Sequence, residues 1–363
     1  MDLFDGLPIP KSQDLNRDIG GERATSSSLA VEKFAAHAEA GQDAPGRKRK
    51  ADSLEETSEE PALGSDKSAN SPKLVLKGFS AEMQGERAAM EDRFCLMDII
   101  TDSRVTKHRD ISSAAFYGVF DGHGGRRAAD FAADSFLNFF LSNFLSRGGA
   151  TSTDLDSAVS TCMTATYKTL DANFLAKCIK QKPAWKDGTT ATTLLILNGH
   201  TAFISNVGDS QAILCRYDAV TAEHRPIVLT VEHSAARYEE RIRIQQQGGR
   251  VKDDRIEGIL EVSRSIGDLP YKKGMGLIST PAVRKCSLTS DDKFIVVACD
   301  GLWKSLTPTE VIHFVLSHIK DATDEDIDAK FSSACSGLAR EAVKRLTGDN
   351  VTVLLVRISS DRQ

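Results

Sequence analysis

The residues best suited to chemistry in this chain are carboxylates placed where apolar runs stop. Phe116-Tyr117-Gly118-Val119-Phe120 is a short aromatic and β-branched run, followed at once by Asp121-Gly122-His123-Gly124-Gly125. The run reads as a buried strand cut off by turn residues. The glycines allow a sharp turn and a close approach of backbone to a ligand. Asp121 and His123 are thereby expected at a strand end, where rigid scaffolds display binding groups. The plainer alternative is a turn whose Asp121 caps the helix starting near Arg126.

That placement recurs along the chain. Glu91 and Asp92 precede an apolar stretch over residues 94–100, and Asp209 lies in Asn206-Val207-Gly208-Asp209-Ser210. Asp300 ends Phe294-Ile295-Val296-Val297-Ala298-Cys299 and is followed by Gly301, while Asp349 sits in Gly348-Asp349-Asn350 before the last apolar run. One such residue alone reads most simply as a turn or cap. If these strand ends converge, however, several carboxylates crowd one cleft. Like charges that close raise one another's pKa, so they stay ionised together only around bound cations. Oxygen-only ligands select hard cations, which makes Mg²⁺ or Mn²⁺ the natural occupant.

Competing chemistries lack their residues. The chain has no G-x-S-x-G, no G-x-x-x-x-G-K-[ST], no H-E-x-x-H and no EF-hand loop. Its seven cysteines (Cys95, Cys162, Cys178, Cys215, Cys286, Cys299, Cys335) form no C-x-x-C pair and have no zinc spacing. Lys272, Lys273, Gly274 and Gly276 make a basic glycine-containing loop, but no strand-to-helix context surrounds it. Hydrolysis assisted by two metals is the reading that remains.

The elements that must position these groups follow from hydrophobic periodicity. Strands are expected over 74–82, 94–100, 114–120, 189–197, 201–207, 210–216, 293–299 and 351–358. Asn198-Gly199 separates two of them and is a strong hairpin signal, because a type I′ turn needs positive φ at both central residues. Amphipathic helices are expected over 126–145, 155–179 and 331–346, with another over 235–247 stopped by Gly248-Gly249. Thr307-Pro308-Thr309-Glu310 opens a further helix with a cap residue, a first-turn proline and a capping-box glutamate. The last strand is too apolar for an exposed edge. Hairpin-linked strands among helix pairs favour antiparallel sheets flanked by helices over a doubly wound parallel sheet.

Composition sets the frame. The chain has 363 residues, 40% hydrophobic and 27% charged, with net charge −5, which suits a soluble protein with an ample core. No apolar run approaches the roughly 18 residues of a membrane span, and no signal-peptide core opens the chain. Scattered cysteines in apolar runs fit a reducing, intracellular compartment, so the Asn350-Val351-Thr352 sequon is read as chance. Residues 1–72 read as a disordered tail, rich in Ser, Glu, Lys, Gly and Ala, with one short helical stretch over 31–40. Within it, Arg47-Lys48-Arg49-Lys50 reads as a nuclear import signal or a contact for an acidic partner, which adds the nucleus to a cytoplasmic location. The acidic run over 53–60 places Ser53, Thr57 and Ser58 in reach of an acid-directed kinase. One domain is expected over 73–363. No basic aromatic stripe argues for nucleic acid.

Taken in order, the motifs resemble those of the metal-dependent serine/threonine protein phosphatases of type 2C. They are R-A-A-M-E-D at Arg87–Asp92, F-D-G-H-G-G at Phe120–Gly125, D-G-T-T-A at Asp187–Ala191 and N-V-G-D-S at Asn206–Ser210. E-R-I-R-I-Q-Q-Q-G-G at Glu240–Gly249, V-S-R-S-I-G-D at Val262–Asp268, A-C-D-G-L-W at Ala298–Trp303 and G-D-N at Gly348–Asn350 complete the set. The resemblance implies an α+β fold, a four-layer α-β-β-α sandwich with two central antiparallel β-sheets. It implies that Asp121 bridges two Mg²⁺ or Mn²⁺ ions, one also held by Glu91 and the Gly122 carbonyl, the other by Asp300 and Asp349. Asp92 would hold a water, Arg87 would clamp the phosphate, and His123 would protonate the departing serine or threonine oxygen. Met1-Asp2-Leu3-Phe4, the stretch Lys182-Pro183-Ala184-Trp185-Lys186-Asp187-Gly188 and the basic cluster resemble a kinase-associated subfamily, which implies phosphoprotein substrates in a kinase pathway.

One position departs from the pattern. Many family members carry an aspartate four residues after the A-C-D-G aspartate, where it helps hold a third metal with the N-x-G-D-S aspartate. Here that position is Lys304. An ammonium repels a cation, so a third site built on Asp209 and Asp300 is expected to be weak or absent. A binding scaffold without catalysis is the alternative function, but such a chain should have lost metal carboxylates or Arg87, and this one keeps them.

Overall fold

The computed structural model describes residues 74–106, 108–147 and 154–360; the basic cluster, the acidic run and the helical stretch over 31–40 lie outside them. In chain order the first half holds β1 (Leu74–Met83), β2 (Arg93–Met97), α1 (Ser103–Thr106), β3 (Ala114–Phe120), β4 (Gly122–His123), α2 (Arg127–Ser146) and α3 (Leu155–Lys180). Next come β5 (Gly188–Thr189), β6 (Ala191–Leu197), β7 (Thr201–Val207), β8 (Gln211–Asp218), β9 (Glu223–Val228), α4 (Tyr238–Gln246), β10 (Val251–Lys252) and β11 (Arg255–Ile256). The remainder is β12 (Ile266–Gly267), α5 (Leu269–Lys272), β13 (Ala282–Ser287), β14 (Asp292–Ala298), α6 (Asp300–Trp303), α7 (Pro308–Ile319), α8 (Ile327–Lys344) and β15 (Val351–Ser360).

Two five-stranded antiparallel sheets carry the fold, in the orders β1-β15-β14-β8-β9 and β13-β7-β6-β3-β2. Side chains alternate across a strand, so an apolar strand can feed two different cores. In β3, Phe116 and Phe120 join a cluster with Phe136, Phe140 and Tyr167 of α2 and α3, while Tyr117 and Val119 join one with Leu214, Val297 and Leu354 of the other sheet. β14 divides the same way: Ile295 and Val297 face the opposite sheet, and Phe294 and Val296 pack with Val311, Val315 and Leu338 of α7 and α8. Three apolar seams therefore separate four layers, α2/α3, sheet, sheet, α7/α8. This is the expected α-β-β-α sandwich. Each fully buried Leu, Phe or Val contributes roughly 1.5–3 kcal/mol, which makes the strands a stiff platform for whatever hangs from their ends.

Local signals locate most elements. Thr307 and Glu310 form the expected capping box, with Thr307 N–H donating to Glu310 Oε2 at 2.8 Å and Glu310 N–H to Thr307 Oγ1 at 3.3 Å. Asn198 and Gly199 both take positive φ in the β6–β7 turn. β15 is an inner strand, as its apolarity requires. The helix expected over 235–247 begins later, at Tyr238, because Ala235 is tied into a loop by its N–H to the Glu261 carbonyl. β9 and β13 escape the periodicity because both are polar outer strands. All seven cysteines are free, and all but Cys95 are buried.

Candidate active site

Register brings the carboxylates together. Arg93 pairs with Phe120, Val119 with Thr192 and Ala191 with Val207, so the segments around 91, 121 and 209 leave one sheet at the same end. In the other sheet, Met83 pairs with Val351 and Ala298 with both Val353 and Gln211, which puts the segments around 84, 209, 300 and 349 at one end. There a cleft of about 750 Å³ opens, lined by Arg87, Glu91, Asp121, Gly122, His123, Asp209, Asp300, Lys304 and Asp349 among others. Asp92 lies beside it, almost fully buried.

Backbone contacts fix each group. Thr190 N–H donates to the Asp121 carbonyl at 2.9 Å and Thr189 Oγ1 donates to it at 3.0 Å, locking the turn after β3. A Cβ on Gly122 would lie 2.4 Å from the Glu91 carbonyl oxygen, so this close crossing of two carboxylate-bearing segments admits only glycine. Asp121 does not cap α2. That helix takes its side-chain acceptor from Asp187, whose Oδ2 receives Arg127 N–H at 3.2 Å. Asn350, nearly buried, staples the Arg87 loop: Nδ2 donates to the carbonyls of Gln84 (2.7 Å) and Ala89 (3.0 Å), and Oδ1 accepts from Glu91 N–H (2.8 Å).

The electrostatics are those of a site short of positive charge. Oxygens of Asp121, Asp209 and Asp300 lie within 4.8 Å of one another, as do ligand atoms of Asp92, Asp121 and Cys299. Burial, then the charges of Asp92, Asp300, Asp209 and Asp349, pushes Asp121 well above the carboxylate range. Burial and the Asp300 charge raise Asp209 to about 7. Burial raises Asp92 to about 6 despite the hydrogen bond from Thr352 Oγ1 at 2.8 Å, and its Oδ1 has no hydrogen-bond partner. Asp300 is likewise raised by burial, against the pull of Lys304. Burial, then the Asp92 and Asp121 charges, pushes the Cys299 thiol well above its ordinary range and keeps it protonated. The ligands on offer are thus crowded, desolvated carboxylates with one orphaned oxygen, which fit hard divalent cations. Glu91 and Asp349 line the same cleft, but among the described residues neither belongs to a tight group of three.

Two internal cations already engage these acids. Lys304 Nζ pairs with Asp300 Oδ2 and, at 3.3 Å, with Asp349 Oδ2; Arg87 Nη2 reaches the same Asp349 oxygen at 3.0 Å. Burial would lower the Lys304 ammonium, yet Asp300 and Asp349 more than offset it and raise it. The structure thus sets Asp209 against Asp121 and Asp300, with an ammonium on the neighbouring oxygens.

His123 has a partner to which sequence reading gave no role. Its Nε2 lies 2.9 and 2.8 Å from the two oxygens of Asp268, which is buried and also accepts from Ser265 Oγ at 2.6 Å. Burial opposes the imidazolium, but the Asp268 charge and hydrogen bond prevail and raise His123 above its ordinary value. A Cβ on Gly188 would meet Asp268 Oδ2 at 2.0 Å and His123 Nε2 at 2.3 Å, so Gly188 makes the pairing possible. The signal was present in V-S-R-S-I-G-D, but nothing in spacing links residues 145 positions apart. The basic loop at Lys272 is structural, with Nζ held by Asp171 at 3.2 Å and the Ser265 carbonyl at 2.6 Å.

Comparison with known proteins agrees with this geometry. Residues 76–351 match the family model for protein phosphatase 2C. The chain is 41% identical to the integrin-linked kinase-associated serine/threonine phosphatase 2C of Bos taurus, over 98% of this chain and 93% of that one. It is 42% identical to the Homo sapiens protein of the same name, over 83% and 79%. Among solved structures, a serine-threonine phosphatase 2C from Toxoplasma gondii shares the fold with a TM-score of 0.63 at 20% identity, over 80% of this chain and 96% of that one. With a carboxylate-lined cleft on a two-sheet sandwich and a family match along most of its length, the chain belongs to the protein phosphatase 2C family.

Proposed function

We propose that this protein hydrolyses phosphoserine and phosphothreonine in proteins with two Mg²⁺ or Mn²⁺ ions. Its family is one of metal-dependent serine/threonine phosphatases; the residue roles are our reading. Asp121 would be shared by both ions, Glu91 and the Gly122 carbonyl would complete one site, and Asp300 and Asp349 the other. Bound there, such ions would neutralise phosphoryl oxygens and lower the pKa of a water toward neutrality.

The chain's own residues do the rest. Arg87, more than half exposed at the cleft rim, clamps the phosphoryl oxygens with its planar fork. Asp92 keeps Oδ1 free to accept from water. His123 gives a proton to the departing serine or threonine oxygen; Asp268 holds Nε2, which leaves Nδ1 to deliver it. Asp209 could join a third ion, but Lys304 supplies positive charge beside it, so we assign two. The names of the relatives point to a kinase pathway as the source of substrates. In the same reading, residues 73–363 form the catalytic domain and Arg47-Lys48-Arg49-Lys50 acts as an import signal or contacts an acidic partner; a reporter fused to residues 1–72 that stays cytoplasmic would remove the import role.

The gathering of Glu91, Asp121, Gly122, Asp300 and Asp349 with Arg87 and His123 in one cleft supports the reading most directly. The test is hydrolysis of a phosphothreonine peptide in EDTA, Mg²⁺ or Mn²⁺, beside Asp121→Ala. Turnover that needs metal and is lost in the variant supports it. Folded protein inactive at every metal concentration would overturn it in favour of a binding scaffold.

A further inference from the structure

Beside the catalytic cleft lies a second cavity of about 450 Å³, and the two share Gly124 and Lys186 in their walls. The rest of its wall is Arg127 and residues 181–187. Trp185 is its platform, half-buried against Phe174 at 6.4 Å between ring centres, with the Arg127 guanidinium 4.7 Å above its ring. Arg127 is not a free charge. It binds both oxygens of the fully buried Asp187, at 2.7 and 2.6 Å, so that pair is neutral and fixed.

Lys182 and Lys186 differ from it. Both are exposed, and neither pairs with an acid among the described residues. The cavity wall therefore carries two uncompensated positive charges on a rigid aromatic base, directly beside a cleft full of carboxylates. In the metal-loaded enzyme the charges of Glu91, Asp121, Asp209, Asp300 and Asp349 would be taken up by the two divalent ions, Arg87 and Lys304, so the cleft has no cation to spare for an acidic residue next to the phosphorylated side chain. The adjoining groove is where it can go.

We propose that this groove binds acidic side chains flanking the phosphorylated residue, which makes the enzyme selective for phosphosites in acidic sequence. The assignment rests on the phosphatase reading above. Lys186, common to both cavities, meets the residues closest to the phosphosite, and Lys182 those further out. Exposed ion pairs of this kind give about a three- to tenfold preference when two act together, and the preference fades with salt.

The experiment compares phosphothreonine peptides identical except for four flanking residues on each side, Asp/Glu in one set and Ser/Asn in the other. Para-nitrophenyl phosphate reports the catalytic centre by itself. We expect acidic peptides to be preferred about three- to tenfold in kcat/KM at low salt, through KM rather than kcat. The preference disappears in Lys182→Gln/Lys186→Gln and reverses in Lys182→Glu/Lys186→Glu. A wild-type preference below twofold, or one that survives both double variants, overturns the groove assignment. Turnover of the small ester without acidic preference overturns this proposal alone; no turnover of the ester overturns the phosphatase reading as well.

Discussion

Lys304→Met keeps the length of the side chain and removes its charge, and we expect it to tighten binding of divalent cations. In the metal-free protein the ammonium spans Asp300 and Asp349, both of which a bound cation would need. An entering ion must displace Nζ from two partners. The lysine is nearly half exposed, so each pair is discounted for solvent to about 0.5–1 kcal/mol. Two pairs give about 1–2 kcal/mol of competition, or a five- to thirtyfold lower Kd for Mn²⁺ in the variant. The same change leaves the acids less neutralised without metal, so the metal-free variant melts lower and gains more from Mn²⁺. Calorimetric titration with Mn²⁺ gives Kd directly, and thermal denaturation with and without metal gives the second quantity. A Kd unchanged within twofold, or a weaker one, would show that Lys304 does not compete for these oxygens.

Three further outcomes follow from named contacts. Asp268→Asn removes the charge that raises His123, so the alkaline limb of the kcat–pH profile, where the imidazolium is lost, moves to lower pH. Turnover of phosphothreonine drops about ten- to a hundredfold, while para-nitrophenyl phosphate, whose leaving group needs no proton, is nearly spared; equal losses on both would refute the proton-donor pairing. Asn350→Ala strands Glu91 N–H and the carbonyls of Gln84 and Ala89, at about 2–4 kcal/mol in urea denaturation, and a loss below about 1 kcal/mol would mean the loop repacks. Asp92 and Asp209 titrate near 6 and 7 in the native state, above the ordinary 3.8, so native protein binds more protons than unfolded across that window. Stability of metal-free protein therefore falls as pH rises from about 4 to 7; calorimetry in EDTA showing Tm climbing with pH would contradict it.

The parts of this molecule written in local chemistry were legible in its sequence. Phe116–Phe120, the Asn198-Gly199 turn and the Thr307/Glu310 cap declare themselves through periodicity, turn geometry and hydrogen-bonding potential within a few residues. Carboxylates at strand ends could be recognised one at a time, and their convergence inferred only as a condition. Register is what joins them, and register is a property of pairs of strands far apart in the chain, such as β1 with β15. Polar outer strands β9 and β13 were invisible because neither Glu223–Val228 nor Ala282–Ser287 alternates apolar with polar residues. Asp268 was hidden for a related reason: an aspartate after a glycine looks like any turn until a histidine 145 residues away is seen against it.

The pairing of β1 with β15 also has a consequence for biosynthesis. β15 lies between β1 and β14 and follows both of them in the chain. Until it emerges, β1 has no neighbour on its inner side, and Asp349 and the Asn350 staple do not exist. A chain interrupted anywhere before residue 349 thus lacks an inner strand and two residues of the carboxylate-lined cleft at once. Such a product leaves the facing edges of β1 and β14 unpaired, and open edges of that kind template association with other chains.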